Sequence, residues 1–475
     1  MRVKFLIFAV FIGLTAMIGI QACKKDKTSS STTSTTTATV TALSCSSTTF
    51  SGTAYASTAF TGTATVPYTG GSGASYAAGT AISSTGVTGL TATLQKGTLE
   101  TGTGDLTYTI AGTPSGSGTA TFAITFGGQS CGFAMTVSAA VATTGCSTSA
   151  TPAAKVLCAV QAFEATLTST QLAGVQFDYE KANAIKWSNL PCGSQCREGL
   201  ELSSLTSTQL AAAMAVAAAA TGTASADQGY TEVTDIIAAD DILQATAGGS
   251  TYGSGNYFIA FVGTPSLTGT WQLQFGGHHM AINRTYISGA EAGSTPYFLG
   301  VEPKTWTTNS VTYAPLANKH DAMAAMLASL TTSELASAKL SSTFSDVMLG
   351  PGEDGQFPTT KLGLAASALT SAQQAYIVAA MKQWVDDTDD ATAATLLTTY
   401  TNELSSTYIS YASNTAGTSG DASTFLITNT DYVRIDGPSV WIEFICQTGV
   451  VFPTQIHYHT IWRDHTRDYG NSFTF

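Results

Sequence analysis

The chain has 475 residues, with 19 Lys or Arg against 31 Asp or Glu, so its formal charge at neutral pH is −12. An acidic chain of this kind is a poor nucleic-acid binder, because that function relies on clustered cations that displace counterions from phosphate. Charged residues make up only 11% of the chain, so solubility rests on Thr and Ser hydroxyls and on net charge, and the length suffices for two or three domains with their own cores.

Residues 1–22 open with Arg2 and Lys4, continue through the apolar run Phe5 to Ile20, and lead to Gln21, Ala22 and Cys23. That is the layout of a secretory signal peptide. No later stretch approaches the roughly 20 apolar residues that a spanning helix needs. Ile20-Gln21-Ala22-Cys23 resembles a bacterial lipoprotein box, which implies lipidation of Cys23 and a lipid-anchored place in the cell envelope, facing the periplasm or the cell surface; ordinary signal cleavage is the alternative. Residues 23–42 are mostly Lys, Ser and Thr, with little to bury, and read as a disordered tether.

From 43 to 139 the chain breaks into short runs such as "GTATVPYTG", "GDLTYTIAG" and "GTATFAITFGG". Alternating Thr, Val, Ile, Tyr and Phe cut by Gly predicts an antiparallel all-β sandwich. The segment resembles the immunoglobulin-like modules of Bacteroidetes surface proteins, which implies a spacer or adhesion role. In an exported chain the cysteines are expected to pair: Cys45 with Cys131 across the sandwich, Cys146 with Cys158, and Cys192 with Cys196. Cys446 is left over in the apolar run "VWIEFICQ", where a buried inert thiol is expected.

A linker at 140–149 precedes a change of texture, and 150–475 reads as an α+β domain. "AAKVLCAVQAFEATL" and "LTSTQLAAAMAVAAAA" carry apolar residues at helical spacing, with Thr206 placed to cap a helix. Strands follow in "NYFIAFVGTP" and "GTWQLQFGGHHMAINRTYI", joined as a hairpin by "GTPSLTGT". A second helical region covers about 319–404, and the chain closes with strands "DYVRIDGPSVWIEFICQ" and "IHYHTIWRD". Segregated helices and antiparallel strands favour α+β over a doubly wound sheet.

The segments "FDYEKANAIKWSNLP", "REGLELSSLTSTQL", "WQLQFGGHHMAIN", "TPYFLGVEP", "YVRIDGPSVWIEF" and "IHYHTIWRDHTRDYG" occur in the order of an uncharacterised bacterial family, domain of unknown function 3500. The resemblance runs from about Ala150 to Gly470. It implies a domain boundary and brings no established activity. The "CGSQC" segment and His465 depart from the family's pattern.

Five of the six histidines fall in two of these segments. In a strand His457 and His459 project to one face, about 7 Å apart from a rise of about 3.3 Å per residue, which lets both reach one metal ion. His278 and His279 are adjacent and cannot both do so from a regular strand. A bulge at Gly276 and Gly277 would re-aim one of them. The candidate ligands are therefore His278, His279, His457 and His459, for a divalent zinc, iron or copper ion. Glu443, in an apolar strand, is a candidate fourth ligand, general base or partner of Arg434 or Arg463. Asp464 is placed to orient an imidazole and Arg463 to assist catalysis. Arg284, Arg434, Arg463 and Arg467 suit an anionic substrate. The residues favour a metal-dependent enzyme, hydrolytic or oxidative; the alternative is a non-catalytic binding lipoprotein whose His/Arg/Asp cluster grips an anionic ligand or is structural.

Overall fold

The structure is a computed structural model that describes residues 37–475 apart from 52–53, 57–59, 139–145, 147–148, 224, 226–227, 248 and 309. The expected signal peptide, Cys23, most of the tether and most of the 140–149 linker lie outside the described residues. Among the described residues no helix is long and apolar enough to cross a membrane. The chain is a mixed helix–strand protein whose sheets are mainly antiparallel.

In the N-terminal region the long strands Phe60–Ser72 and Thr101–Gly112 pair antiparallel, and Gly118–Phe126 forms a hairpin with Gln129–Ser138 in a second sheet. Along Thr101–Gly112 every second residue from Leu106 is buried, the period expected of a strand with one wet face. Leu106, Tyr108 and Ile110 meet Phe122, Ile124, Phe133 and Met135 in one core. The Cys45–Cys131 disulfide ties the short turn Cys45–Ser47 to the strand Gln129–Ser138, and Cys146–Cys158 closes a local loop.

The C-terminal region is built on one large sheet. Its eight principal strands are β1 (Phe258–Val262), β2 (Thr270–Gly277), β3 (Met280–Ile287), β4 (Tyr297–Val301), β5 (Tyr408–Ala412), β6 (Tyr432–Asp436), β7 (Val440–Thr448) and β8 (Ile456–Asp464). They lie in the order β1-β2-β3-β4-β8-β7-β6-β5, each neighbour antiparallel. The helices α1 (Pro152–Glu164), α2 (Ser207–Ala219), α3 (Tyr230–Ala247), α4 (Ala317–Ala328), α5 (Ser371–Val385) and α6 (Asp390–Asn402) build a continuous apolar core with one set of alternate strand residues, Phe261, Leu273, Ile282, Leu299, Ile435, Ile442, Phe444 and Trp462 among them. The other face is covered by loops. There a smaller cluster of Trp187, Val262, Phe298, Val347, Tyr432, Ile445, Ile461 and Tyr469 adjoins buried polar side chains: Gln274, Asn283, Arg434, Glu443 and Arg463.

The two halves of this sheet repeat one plan that was not expected from the sequence. In the first, Thr168 caps a short helix, Gln176–Phe177 runs parallel to β1, Leu200 pairs antiparallel with Ile259, and Thr206 caps α2. In the second, Thr331 caps a short helix, Lys339 bridges parallel to Tyr411, Leu364 pairs antiparallel with Ile409, and Thr370 caps α5. Smaller details recur as well. Gln209 Nε2 donates to the Thr166 carbonyl at 2.9 Å, and Gln373 Nε2 to the Ser329 carbonyl at 3.1 Å. Gly199 and Gly363 have φ near +100° (99° and 103°), and a Cβ on either would meet a β1 or β5 carbonyl oxygen at 2.1 or 2.2 Å.

One expectation is corrected. "GTWQLQFGGHHMAINRTYI" is not a single strand with a bulge: pairing runs through Gly276↔Ala281 and Gly277↔Met280, so the chain reverses at His278-His279. Both strands keep complete ladders that way, and the two-residue loop is the shortest common hairpin connection. By register, the equivalent tip in the second half is Pro438-Ser439, between Gly437 and Val440.

Candidate metal centre

The hairpin tip places its two imidazoles differently. His279 has φ of 62°, in the left-handed region that His enters more readily than most side chains. It is held there from both sides: its N–H donates to the Asn189 carbonyl at 2.9 Å, and its carbonyl accepts from the Gly300 N–H at 2.7 Å. Asn189 belongs to a loop fastened by Arg197, whose Nη2 donates to the carbonyls of Ser188, Leu190 and Gly277 at 2.8, 2.6 and 2.6 Å. Nη1 of the same side chain lies against the sulfurs of the Cys192–Cys196 disulfide. Burial lowers the Arg197 guanidinium to about 10, against the pull of Tyr257 and Asp240.

His457 and His459 stand on β8 with ring centroids 4.9 Å apart, and His279 faces them at 5.5 and 5.1 Å. One ring nitrogen from each of the three lies within 4.8 Å of the others, and all three residues are buried. Ions with bonds of 2.0–2.1 Å set neighbouring ligand atoms about 3.4 Å apart in a tetrahedron, so small rotations of the rings close the site. Gly300, between β8 and the hairpin tip, makes the approach possible. A Cβ there would lie 2.8 Å from His459 Cδ2 and 2.9 Å from His279 Cδ2.

The donor set suits a cation. His459 Nδ1 bonds Asp346 Oδ1 at 3.0 Å, while its buried Nε2 and the buried Nδ1 of His457 have no hydrogen-bond partner among the described residues. A carboxylate on Nδ1–H fixes the tautomer that leaves Nε2 with its lone pair. Burial, and then the neighbouring imidazoles, hold His279 well below the usual histidine range and His457 down to about 3. Burial works against the Asp346 carboxyl, yet its hydrogen bond with His459 keeps it below its ordinary value. Metal binding requires neutral imidazoles, the form that burial favours for His279 and His457.

Residues 149–471 match the family described as Protein of unknown function (DUF3500). The chain belongs to that family. No curated protein and no solved structure matches it.

Within this DUF3500 region the other residues singled out from sequence take different places. His278 stacks on His279 at 3.7 Å and turns its Nδ1 to Asp240 Oδ1 on α3, 2.5 Å away, so the adjacent pair splits between the cluster and a carboxylate behind it. Glu443 accepts from the N–H groups of Met348 and Leu349, from Trp441 Nε1 and from the Tyr432 hydroxyl. Burial raises its carboxyl and those donors counteract the rise. Arg463 donates to the carbonyls of Leu349 and Gly350 and to Asp354 and Asp468. Glu443 and Arg463 thereby pin the 346–354 segment across the loop-covered face, and that strap carries Asp346 to His459. Asp464 lies on the other side of β8, where it accepts from the Tyr400 hydroxyl and Arg467. His320 bonds Asp321 and the Leu426 carbonyl, and His465 stacks on Phe357. Asp346, Asp240, Arg197 and Gly300 were not anticipated from sequence.

Proposed function

We propose that His279, His457 and His459 hold one divalent metal ion, with Asp346 behind His459, and that the protein is an exported, lipid-anchored metal-dependent enzyme of the cell envelope. The observation that carries this reading is the convergence of three buried imidazoles from two separate strand segments around a glycine that leaves them room. Imidazole ligands suit zinc, iron or copper. Three protein ligands leave a position for water or substrate, and a bound ion would supply Lewis acidity or an activated water. The chain's own part is to orient three imidazoles in a largely water-excluded pocket, where burial favours the neutral form of His279 and His457. The strand-rich module at 43–139 is read as an immunoglobulin-like spacer that carries this domain away from the anchor, and the Cys23 lipid as that anchor.

Metal analysis of untagged full-length protein tests the reading. Stoichiometric metal is expected, to be removed by chelation and restored by one of the three ions. Neither His457→Ala nor His459→Ala should retain it, whereas His465→Ala should. Protein that folds normally yet takes up no zinc, iron or copper would overturn the proposal.

A further inference from the structure

A second group of buried polar side chains lies on the loop-covered face of the other half-sheet. Arg434 on β6 is only 1% exposed. Its guanidinium lies over the Trp441 ring at 4.7 Å, and its Nη1 touches the Met348 sulfur at 3.3 Å, a weak acceptor. The Tyr432 hydroxyl, which donates to Glu443, lies within loose hydrogen-bonding reach of the same guanidinium, too poorly aligned to satisfy Nε or Nη2. Nε and Nη2 have no hydrogen-bond partner among the described residues. Directly opposite in the ladder, Ser410 on β5 is equally buried and its Oγ is also unpartnered.

A guanidinium keeps its proton in proteins, and leaving its donors buried without an acceptor is costly. Nearby carboxylates do not close the gap. Glu443, the ladder partner on the other side, has its oxygens taken by four other donors. Asp436, two residues along β6, has its Oδ1 engaged by Lys361 and facing His465 Nε2 at 3.4 Å, and its buried Oδ2 makes no hydrogen bond to Arg434 or to any other group among the described residues. The fold itself does not require a cation here. Register places Gln274 where Arg434 stands and Ala260 where Ser410 stands, and Gln274 Nε2 is satisfied by the Ala184 and Asn183 carbonyls at 2.8 and 3.2 Å.

We propose that Arg434 and Ser410 form a binding site for a small carboxylate. Nε–H and Nη2–H lie along one edge of the guanidinium and match the two oxygens of a carboxylate in parallel, and the Ser410 hydroxyl supplies a third donor. The half-buried Met348 is the movable cover, since a methionine side chain is unbranched and adaptable. The ligand is a formate- or acetate-sized acid, or the terminal carboxylate of a longer molecule threaded beneath the strap. The site shares no residue with the histidine cluster and does not rest on the metal reading.

Calorimetric titration of full-length protein with formate and with acetate, at constant ionic strength and against chloride, tests it. Saturable binding of at least one acid is expected, unchanged in His457→Ala. Arg434→Lys, which keeps the charge but loses the parallel edge, should weaken it at least about tenfold. Ser410→Ala should weaken it several-fold, and its fold is safe because alanine already fills that position in the first half. The proposal is overturned if neither acid saturates, if Ser410→Ala binds like the wild type, or if chloride competes as strongly as formate, which would indicate a halide site. If Arg434→Lys fails to fold, the Ser410→Ala and chloride arms decide alone.

Discussion

The hairpin β2–β3 ends in His278-His279, and its counterpart β6–β7 ends in Pro438-Ser439. Beside the first tip runs the early part of β8 with His457 and His459. Ladder register through Ile282↔Tyr297 and Ile442↔Trp462 puts Ala292 and Ser294 at the matching places before β4. The helix-covered faces of the two halves are alike, down to capping boxes and a left-handed glycine before each short edge strand. Their loop-covered faces differ: one hairpin tip is itself made of two histidines and the other of Pro438 and Ser439, and Arg434 and Glu443 stand in one half against Gln274 and Asn283 in the other. A repeated scaffold that supplies stability on one side leaves the other side free to diverge, and the divergent positions are where chemistry is to be sought.

The strongest way to break this comparison is to give the first tip the residue of the second. His279→Ser should remove bound metal altogether, because two imidazoles remain where a site needs at least three protein ligands, while the thermal melt of metal-free protein stays cooperative. Retained stoichiometric metal would mean that the tip is not what distinguishes the halves. Next in size come Gly199→Ala and Gly363→Ala. Each places a Cβ near 2.1–2.2 Å from a strand carbonyl at a φ near +100°, so each should cost at least about 2 kcal/mol in denaturant unfolding. Similar losses at both sites would support equivalent halves; a large loss at only one would not.

How much of this was visible in the sequence depends on whether a signal was local. The period-two spacing of His457 and His459, the Thr206 cap, the β1–β2 hairpin and the Cys192–Cys196 pair all declare themselves within a short window of sequence. The reversal at His278-His279 does not, because Gly-Gly-His-His lacks the Asn-Gly or Asp-Gly signature of a tight hairpin and two glycines read equally well as a bulge. Asp346 sits in "STFSDVMLG", a stretch without periodicity whose position is set by distant anchors, Glu443 and Arg463. The repeat did leave a trace: Leu-Thr followed by Gln or Glu three residues after the threonine, at Thr168, Thr206, Thr331 and Thr370. Those four helix starts, spaced as two pairs, carry the division into halves within the chain itself, but each pair is separated by so much unrelated sequence that no single window contains the signal.

A smaller effect sharpens the role of the strap. Asp346→Ala should leave metal bound but weaken its affinity about 10–100-fold, the usual consequence of removing the carboxylate behind a ligating imidazole. Competition with a chromophoric chelator measures it, and an unchanged affinity would show that the His459 tautomer is fixed by something other than Asp346.

The smallest expected effect tests the shared scaffold rather than the divergent face. Thr206 and Thr370 each accept from the backbone N–H of the Gln three residues on, and that Gln reaches back to the threonine N–H. Replacing either threonine by alanine leaves one N–H at the helix start without its acceptor, a loss of about 1 kcal/mol. Gln209 and Gln373 also reach the carbonyls of Thr166 and Ser329, just past the ends of α1 and α4 in their own halves, so each cap ties two helices together and a modest excess over that value is expected. Because the caps lie in different halves and share no partner, the double variant Thr206→Ala/Thr370→Ala should lose the sum of the two single losses within about 0.5 kcal/mol. A markedly larger loss would mean that the halves communicate through their helical layer, and that the division into a common scaffold and a divergent face is too simple.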